Sequence, residues 1–579
     1  MASPRRAWFW PLAVALGLAA AITAWDACRL NSATMDEPFH ALAAAEYAIA
    51  GTYYANLEHP PLTKLVAGAA LGAAGARPPR IPEPFSMRTA EQPRAFAYHG
   101  PLVPEALLST ARRPFVVLLA LLVLSVAAAV RRWAGEAAGL GAAALVAFEP
   151  AHLAHAGVLH TDLAASLGFF GTIALALLAL EKRAWGLWAL AGAALGLTLA
   201  SKFSGVLLVP VVAAMALLHV LLDRRRGRAE RRPPDARPLY GLLLAGAVAS
   251  IVLFSSYAVA MRSMTRANAE VAVRMFLRSR EAPPATVERV ASLSRLSPAV
   301  GHYAAGLAGI AVQNRTGGGV NYLHGEISPD GFWSYFVVAF GVKSALGLLL
   351  VLAAAAATFG VTRGRFDFRL GALLVPVAYL FLSGTTTSYN IGIRHMLPVY
   401  PLLAAAAAVV LARGLSRRAA VAALAGAALL QGAEVARVHP HEMSFFNALA
   451  GGPANGEAWL NDSNLDWGQD LRRLSISLGA EGRDAGLTVA YFGGADPAYH
   501  FPKARIFDAE AGGVLPGLYA VSSFLRCCGP ETMAFHRRPQ AAAGYESLRR
   551  ALAERGEAVG RVGYSIGLYR IRENADLKR

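Results

Sequence analysis

The residues best suited to chemistry in this chain gather in short clusters between long apolar stretches. Met35-Asp36-Glu37-Pro38-Phe39-His40 sets two adjacent carboxylates at the start of a helix-like run that extends to Tyr47. Such carboxylates cap a helix, satisfying free N–H groups and the positive end of the dipole, with Pro38 in the first turn. Alternatively, one of them takes a proton from a bound hydroxyl. Glu58-His59-Pro60-Pro61-Leu62-Thr63-Lys64 follows, an acid, an imidazole and a cation around a rigid proline pair. Farther on stand His160-Thr161-Asp162, then Lys202 within Ser201-Lys202-Phe203-Ser204-Gly205, then Arg394-His395. Asp162 with His160 suits orientation of a polar ligand, or a divalent ion shared with Glu58 or His59, or plain helix capping. Mixed His and carboxylate ligands suit several divalent metals, but residues so far apart in sequence do not define a site. His152 and His155 read as polar groups at a helix end.

The elements that must hold these residues are membrane spans. With 55% hydrophobic and 16% charged residues and a mean hydropathy of +0.40, the chain is too apolar for an ordinary soluble protein. Stretches near or above the length that crosses about 30 Å of hydrocarbon recur. They fall at 8 to 26, 107 to 130, 136 to 154, 162 to 180, 185 to 200, 204 to 222, 239 to 260, 333 to 358, 369 to 385, 396 to 412 and 418 to 436. The first resembles a signal peptide in its opening half and is read as an uncleaved span. Cys28 is no lipoprotein cysteine, because Asp26 stands where that pattern needs a small uncharged residue. With only Cys28, Cys527 and Cys528, no disulfide framework and no CxxC metal pattern exists.

Under this assignment Arg5-Arg6, Arg131-Arg132, Lys182-Arg183, the Arg224 to Arg237 run, Arg363-Arg365-Arg369 and Arg413-Arg417-Arg418 all fall on one side. The positive-inside rule makes that side the cytoplasm, and it accounts for the net charge of +17 without invoking nucleic acid. Lys202 and Arg394 fall on the opposite side, against the trend, which marks both as functional candidates. Three long segments then lie outside, 27 to 106, 261 to 332, and the tail from 437. The second includes Val300 to Gln313, a weakly amphipathic run suited to the membrane surface. The tail reads as a small α/β domain, with a helix near Gln469 to Leu478 and strands at Leu487 to Phe492, Leu518 to Ser522 and Tyr564 to Ile571. The expected architecture is mainly α: a membrane helix bundle of about eleven spans over 1 to 436, followed by an extracytoplasmic α/β domain over 437 to 579. High Ala and Arg with scarce Lys points to a GC-rich bacterial genome, and so to the cytoplasmic membrane, with the N-terminus inside.

The acidic pair and the His59-Pro60-Pro61-Leu62-Thr63-Lys64 element together resemble the first external loop of the protein O-mannosyltransferases and related family 39 glycosyltransferases. His160-Thr161-Asp162, Ser201 to Gly205, Tyr322 to Glu326, Trp333 to Lys343 and Arg394 to Pro398 match that family in order. Ser444 to Asn447, Gly451 to Gly456 and Asp462 to Asp470 resemble tails of bacterial members. The lumenal domain that mannosyltransferases carry between later spans is not visible, which puts a protein acceptor in doubt.

The resemblance implies the C-type glycosyltransferase fold and transfer of a sugar from a polyprenyl-phosphate donor, with inversion, to an acceptor hydroxyl on a protein, lipid or envelope glycan. Asp36 is the candidate base, with Glu37 beside it; Glu58, His59, Lys64, Asp162, Lys202, Arg394 and His395 are candidate substrate-binding residues. Lys202 and Arg394 sit where a lipid phosphate would lie, and Arg offers a planar fork for its oxygens. Pairing with an acid, or snorkelling to headgroups, is the plainer use of either cation. No metal is required, although a divalent cation is compatible with these side chains. In the tail, the acids and Asn464 suit acceptor sugars, but a structural role is the simpler reading, with Trp467 anchoring a turn. The rival class is a transporter or flippase for a lipid-linked sugar, which calls for ionisable groups deep in several spans.

Overall fold

A computed structural model describes residues 8–79, 91–230, 235–317, 319–484 and 486–573. The expected basic flank Arg5-Arg6 and the part of the Arg224 to Arg237 run at 231–234 lie outside the described residues. All eleven expected spans are helical. Six helices are long and apolar enough to cross a membrane: Phe9–Cys28, Pro104–Ala134, Asp162–Lys182, Phe203–Arg225, Arg237–Ala260 and Arg417–Val438. Two more candidates are bent pairs, and the shorter apolar helices Trp185–Leu199, Phe368–Gly384 and Val399–Gly414 complete the set. Close crossings use small residues, as membrane helix packing favours. A Cβ on Gly192 would fall 2.4 Å from the Ala245 carbonyl oxygen, and one on Gly196 would fall 2.7 Å from that of Ala249.

One expectation needs correction. The straight span read over 333 to 358 is two helices, Tyr335–Lys343 and Leu346–Val361, bent by 109°. The polar pair Lys343-Ser344 falls at the bend, between two apolar runs that hydropathy alone joins into one span. What permits the break is that other parts of the chain satisfy the freed backbone groups, as lipid cannot. Glu434 accepts the Leu346 N–H at 2.8 Å, and the Asn447 amide donates to the Gly341 and Ser344 carbonyls at 2.7 and 2.9 Å. The Lys343 ammonium donates to the Met443 and Asn464 carbonyls at 2.9 and 2.5 Å, which binds the tail to the bend. The expected span over 136 to 154 is also bent, by 59°, between Glu136–Ala147 and Pro150–Ala156.

The two ends of the bundle differ in charge pairing. At one end Arg132 and Arg369 share Glu181, Arg183 meets Asp235, and Arg413 meets Asp367. At the other end, three helices cover the bundle between its spans, Arg266–Ser279, Pro284–Leu296 and Pro298–Thr316. Two short strands, β1 (Asn321–Leu323) and β2 (Glu326–Ser328), then form a hairpin.

The tail folds around a five-stranded sheet. Its strands are β3 (Leu487–Ala490), β4 (Arg505–Ile506), β5 (Gly517–Ser522), β6 (Gly556–Val562) and β7 (Ile566–Ile571), in the order β4-β3-β5-β7-β6. β3 is parallel to both neighbours, whereas β7 is antiparallel to β5 and β6. Three of these strands and the helix Leu471–Asp484 occupy the expected positions; β4 and β6 are short or exposed and leave little pattern. One face buries Tyr519 and Val521 under the helices Ser523–Phe535 and Pro539–Arg555. The other packs Leu487, Val489 and Ala520 with Leu42, Leu107 and Phe115 of the membrane part.

Candidate functional site

Asp36 sits at the N-cap of the helix Glu37–Ala45, but its carboxylate makes no capping hydrogen bond. Glu37 accepts the Thr34 N–H, which lies before the helix, at 2.9 Å. Glu37 is fully buried and forked onto Arg112, with Arg112 Nε at 2.7 Å from one oxygen and Nη2 at 2.5 Å from the other. It also accepts the Leu159 N–H at 2.9 Å. Burial by itself would raise the Glu37 carboxyl, but Arg112 and the two backbone amides hold it below its ordinary range. With every lone-pair direction in use, Glu37 positions the loop and has no free oxygen for a ligand. The two adjacent acids therefore divide, with Asp36 retaining 39% side-chain exposure.

Around Asp36 four of the expected residues converge. His160 stands between Asp162, whose Oδ2 is 2.6 Å from Nδ1, and Arg394, whose Nη1 donates to Nε2 at 2.9 Å. Because a guanidinium only donates, Nε2 is the acceptor and the ring proton lies on Nδ1, facing Asp162. Asp36 Oδ2 lies 3.7 Å from both His160 Nε2 and Arg394 Nη1. Lys202 is ion-paired with Asp162. Of the two cations that break the charge trend, Lys202 is thus neutralised in place, whereas Arg394 lines an open cleft of about 650 Å³ with Asp36. The Arg394 guanidinium stacks on Trp467, 4.3 Å from the ring centroid, and its Nε has no protein partner among the described residues.

Of the remaining expected residues, His59 reaches this cluster through His160, and the others have partners of their own. Glu58 pairs with Arg280 at the cleft edge and is about half exposed. His59 belongs to a trio with His40 and His160, whose ring nitrogens all lie within 4.8 Å of one another. Lys64 is buried, donates to the Asn56 side-chain oxygen at 3.1 Å and lies over the Tyr47 ring. His395 is half-buried between Phe336 and Tyr389. Both His160 nitrogens face partners, one of them the Arg394 cation, so a divalent ion at the trio would have to displace one of them.

The tail motif has the structural role that is the simpler reading of its sequence, and it fills that role beside the cleft. The stretch Asp462 to Asp470 is threaded into the site. The Ser463 hydroxyl donates to the Ile391 carbonyl, and Asn464 Oδ1 accepts the Ile393 N–H at 3.0 Å, fixing the turn that carries Arg394. Trp467 and Gln469 carbonyls accept the N–H groups of Met35 and Ser32, fixing the loop before Asp36. Gly468, at φ 91°, turns against Gly493; a Cβ there would lie 2.5 Å from the Gly493 Cα. Asp466 accepts the Phe524 and Gly468 N–H groups and is structural. Asp462 lines the cleft, and burial pushes its carboxyl up to about 7 against the pull of Arg394.

The fold and site together define a polytopic membrane helix bundle with a charged cleft at one end, roofed by a small α/β domain. The family model described as dolichyl-phosphate-mannose-protein mannosyltransferase matches residues 106–232. That stretch carries Arg112, His160, Asp162 and Lys202, and the match bears out the resemblance read from the motifs. Among solved structures the chain aligns with ArnT from Cupriavidus metallidurans bound to undecaprenyl phosphate, at 14% identity over 96% of this chain and 97% of that one (TM-score 0.47). It aligns with the Archaeoglobus fulgidus oligosaccharyltransferase AglB in complex with an inhibitory peptide and a dolichol-phosphate, at 14% over 98% and 75% (TM-score 0.48). With the S. cerevisiae protein O-mannosyltransferase complex bound to the sugar donor, the figures are 18% over 45% and 34% (TM-score 0.33). No curated protein sequence matches the chain.

Proposed function

We propose that this chain is a glycosyltransferase that moves a sugar from a polyprenyl-phosphate donor to an acceptor hydroxyl on the extracytoplasmic side of the cytoplasmic membrane. The observation that carries the reading is the pairing in one cleft of a carboxylate free of capping duty, Asp36, with the Arg394 guanidinium, whose Nε has no hydrogen-bond partner among the described residues. The family match over 106–232 supports the donor class. In the transfer, Asp36 takes the acceptor hydroxyl proton as the oxygen attacks the anomeric carbon from the face opposite the phosphate, giving inversion. Arg394 holds the departing phosphate, oriented by Trp467 below and His160 beside it. Asp162 and Lys202 brace His160. The membrane part (1–436) supplies this machinery, and the tail (437–579) closes over it.

The transporter reading gains nothing from the buried charges among the spans. Glu434 and Lys343 are occupied in satisfying the bend at 344–345, and Glu149 lies against the Gln431 amide at 3.3 Å. Replacing Arg394 tests the phosphate assignment. Arg394→Ala is expected to weaken binding of a labelled prenyl-phosphate sugar at least about tenfold, the loss of a charge-assisted hydrogen bond. Arg394→Lys should recover only part of it, because an ammonium lacks the fork and the stacking on Trp467. Equal donor affinity in wild type and Arg394→Ala removes Arg394 from this role.

A further inference from the structure

The cleft has two walls of different origin. The bundle contributes Asp36 and Arg394; the tail contributes Asp462 and four aromatic rings, Trp467, Phe492, Phe524 and Phe535. Asp462 adopts φ 55°, a conformation that non-glycine residues hold only at a cost. The chain on either side fixes it there: the Asn461 side chain accepts the Asp462 N–H at 3.0 Å, and Ser463 and Asn464 are bonded to the 391–393 segment. Its carboxylate accepts the Ser463 N–H, and among the described residues no Lys, Arg or His forms an ion pair with it. The charged and titratable groups that face it are Arg394, Asp36, Tyr335, Tyr389 and Cys528. A rigidly held acid with hydrogen-bonding capacity to spare therefore opens on the cleft across from Asp36.

We propose that Asp462 binds the acceptor, opposite Asp36, and that this acceptor is a saccharide. The inference rests on the transferase reading above and adds the substrate class. A sugar offers hydroxyl donors on its rim and apolar C–H faces, the complement of one carboxylate set among aromatic rings. The tail wall has that composition: Phe492 and Phe524 stack at 4.0 Å, and Phe535 is 41% exposed. A lipid acceptor would need a continuous apolar groove, which charged Arg280, Glu281 and Arg537 interrupt. A peptide acceptor would call on backbone-pairing strand edges, and no strand of the sheet lines the cleft among the described residues.

The test uses the purified full chain with a labelled prenyl-phosphate sugar and three acceptor arms: soluble envelope oligosaccharides, a Ser/Thr peptide and a lysolipid. Slow hydrolysis of the donor by water is measured in parallel. Asp462→Asn keeps the left-handed conformation and still accepts the Ser463 N–H, so folding is retained; Asp462→Gly serves as a second variant. Wild type is expected to label the oligosaccharide, and both variants to raise the oligosaccharide KM by about tenfold to a hundredfold, the worth of a hydrogen bond to a charged group. Donor KM should hold or fall slightly, since each variant removes a negative charge that acts on Arg394, so that the loss is confined to the oligosaccharide arm. An unchanged oligosaccharide KM in both variants overturns the proposal, as does labelling of the peptide or lysolipid alone. If wild type cleaves no prenyl-phosphate sugar, even to water, the transferase reading itself fails and the acceptor assignment falls with it.

Discussion

Asp36→Asn is expected to lower the turnover of sugar transfer by about a hundredfold to ten-thousandfold, the range a general base supplies. The amide cannot take the acceptor proton, yet it is the same size as the acid it replaces. Because the Asp36 carboxylate makes no capping bond, the helix Glu37–Ala45 loses nothing by the exchange, and thermal stability should not move. Donor affinity should hold or tighten slightly, since removing one negative charge 3.7 Å from Arg394 leaves that guanidinium more strongly cationic toward a phosphate. The check is a comparison of kcat, donor Kd and melting temperature in detergent for wild type and variant. Turnover within about threefold of wild type would take the base role away from Asp36. A fall in turnover accompanied by a fall in melting temperature would instead move Asp36 into the group of structural acids, beside Glu37.

That the acidic pair divides into one free and one committed carboxylate is not visible from the sequence, where Asp36 and Glu37 look interchangeable. The deciding partner is Arg112, 75 residues away in a span. A signal for it did exist: an arginine inside an otherwise apolar stretch is costly and calls for a buried partner. Lys202 and Arg394 were legible because their charge opposes the placement of every other cluster, and the structure brings both to His160 and Asp162. The eleven apolar helical stretches were legible because apolar length is a property of contiguous residues. The bend at 344–345 was not, since the groups that satisfy it, Glu434 and Asn447, lie far along the chain, as do Met443 and Asn464, the partners of Lys343 beside it. The partners of the tail motif were hidden for the same reason: its spacing shows a turn, while its meaning lies in hydrogen bonds to residues 391 and 393 and to residues 32 and 35.

Separating Glu37 from Arg112 should have the largest effect on folding of any single change at the site. Arg112 donates to the Cys28 and Ser32 carbonyls at 2.9 Å as well as to Glu37, so the pair joins the end of the first span to the loop of Asp36. Through the Leu159 N–H it also holds the segment that presents His160. Glu37→Gln leaves a buried guanidinium without its counter-charge, which costs about 3–5 kcal/mol, and Arg112→Met leaves a buried carboxylate equally stranded. The double variant should lose less than the sum of the two, because the second substitution removes the group that the first left unpaired. Acid should act as the mutation does. The folded-state carboxyl of Glu37 lies below its ordinary value of 4.5, so its contribution is complete above that pH and fades as the pH falls through the depressed folded value. The wild-type melting temperature should therefore drop in acid more steeply than that of Glu37→Gln, which has no such group to titrate. Additive losses in the double variant, or parallel acid profiles for wild type and Glu37→Gln, would show that the first span and the Asp36 loop are held by something other than this pair.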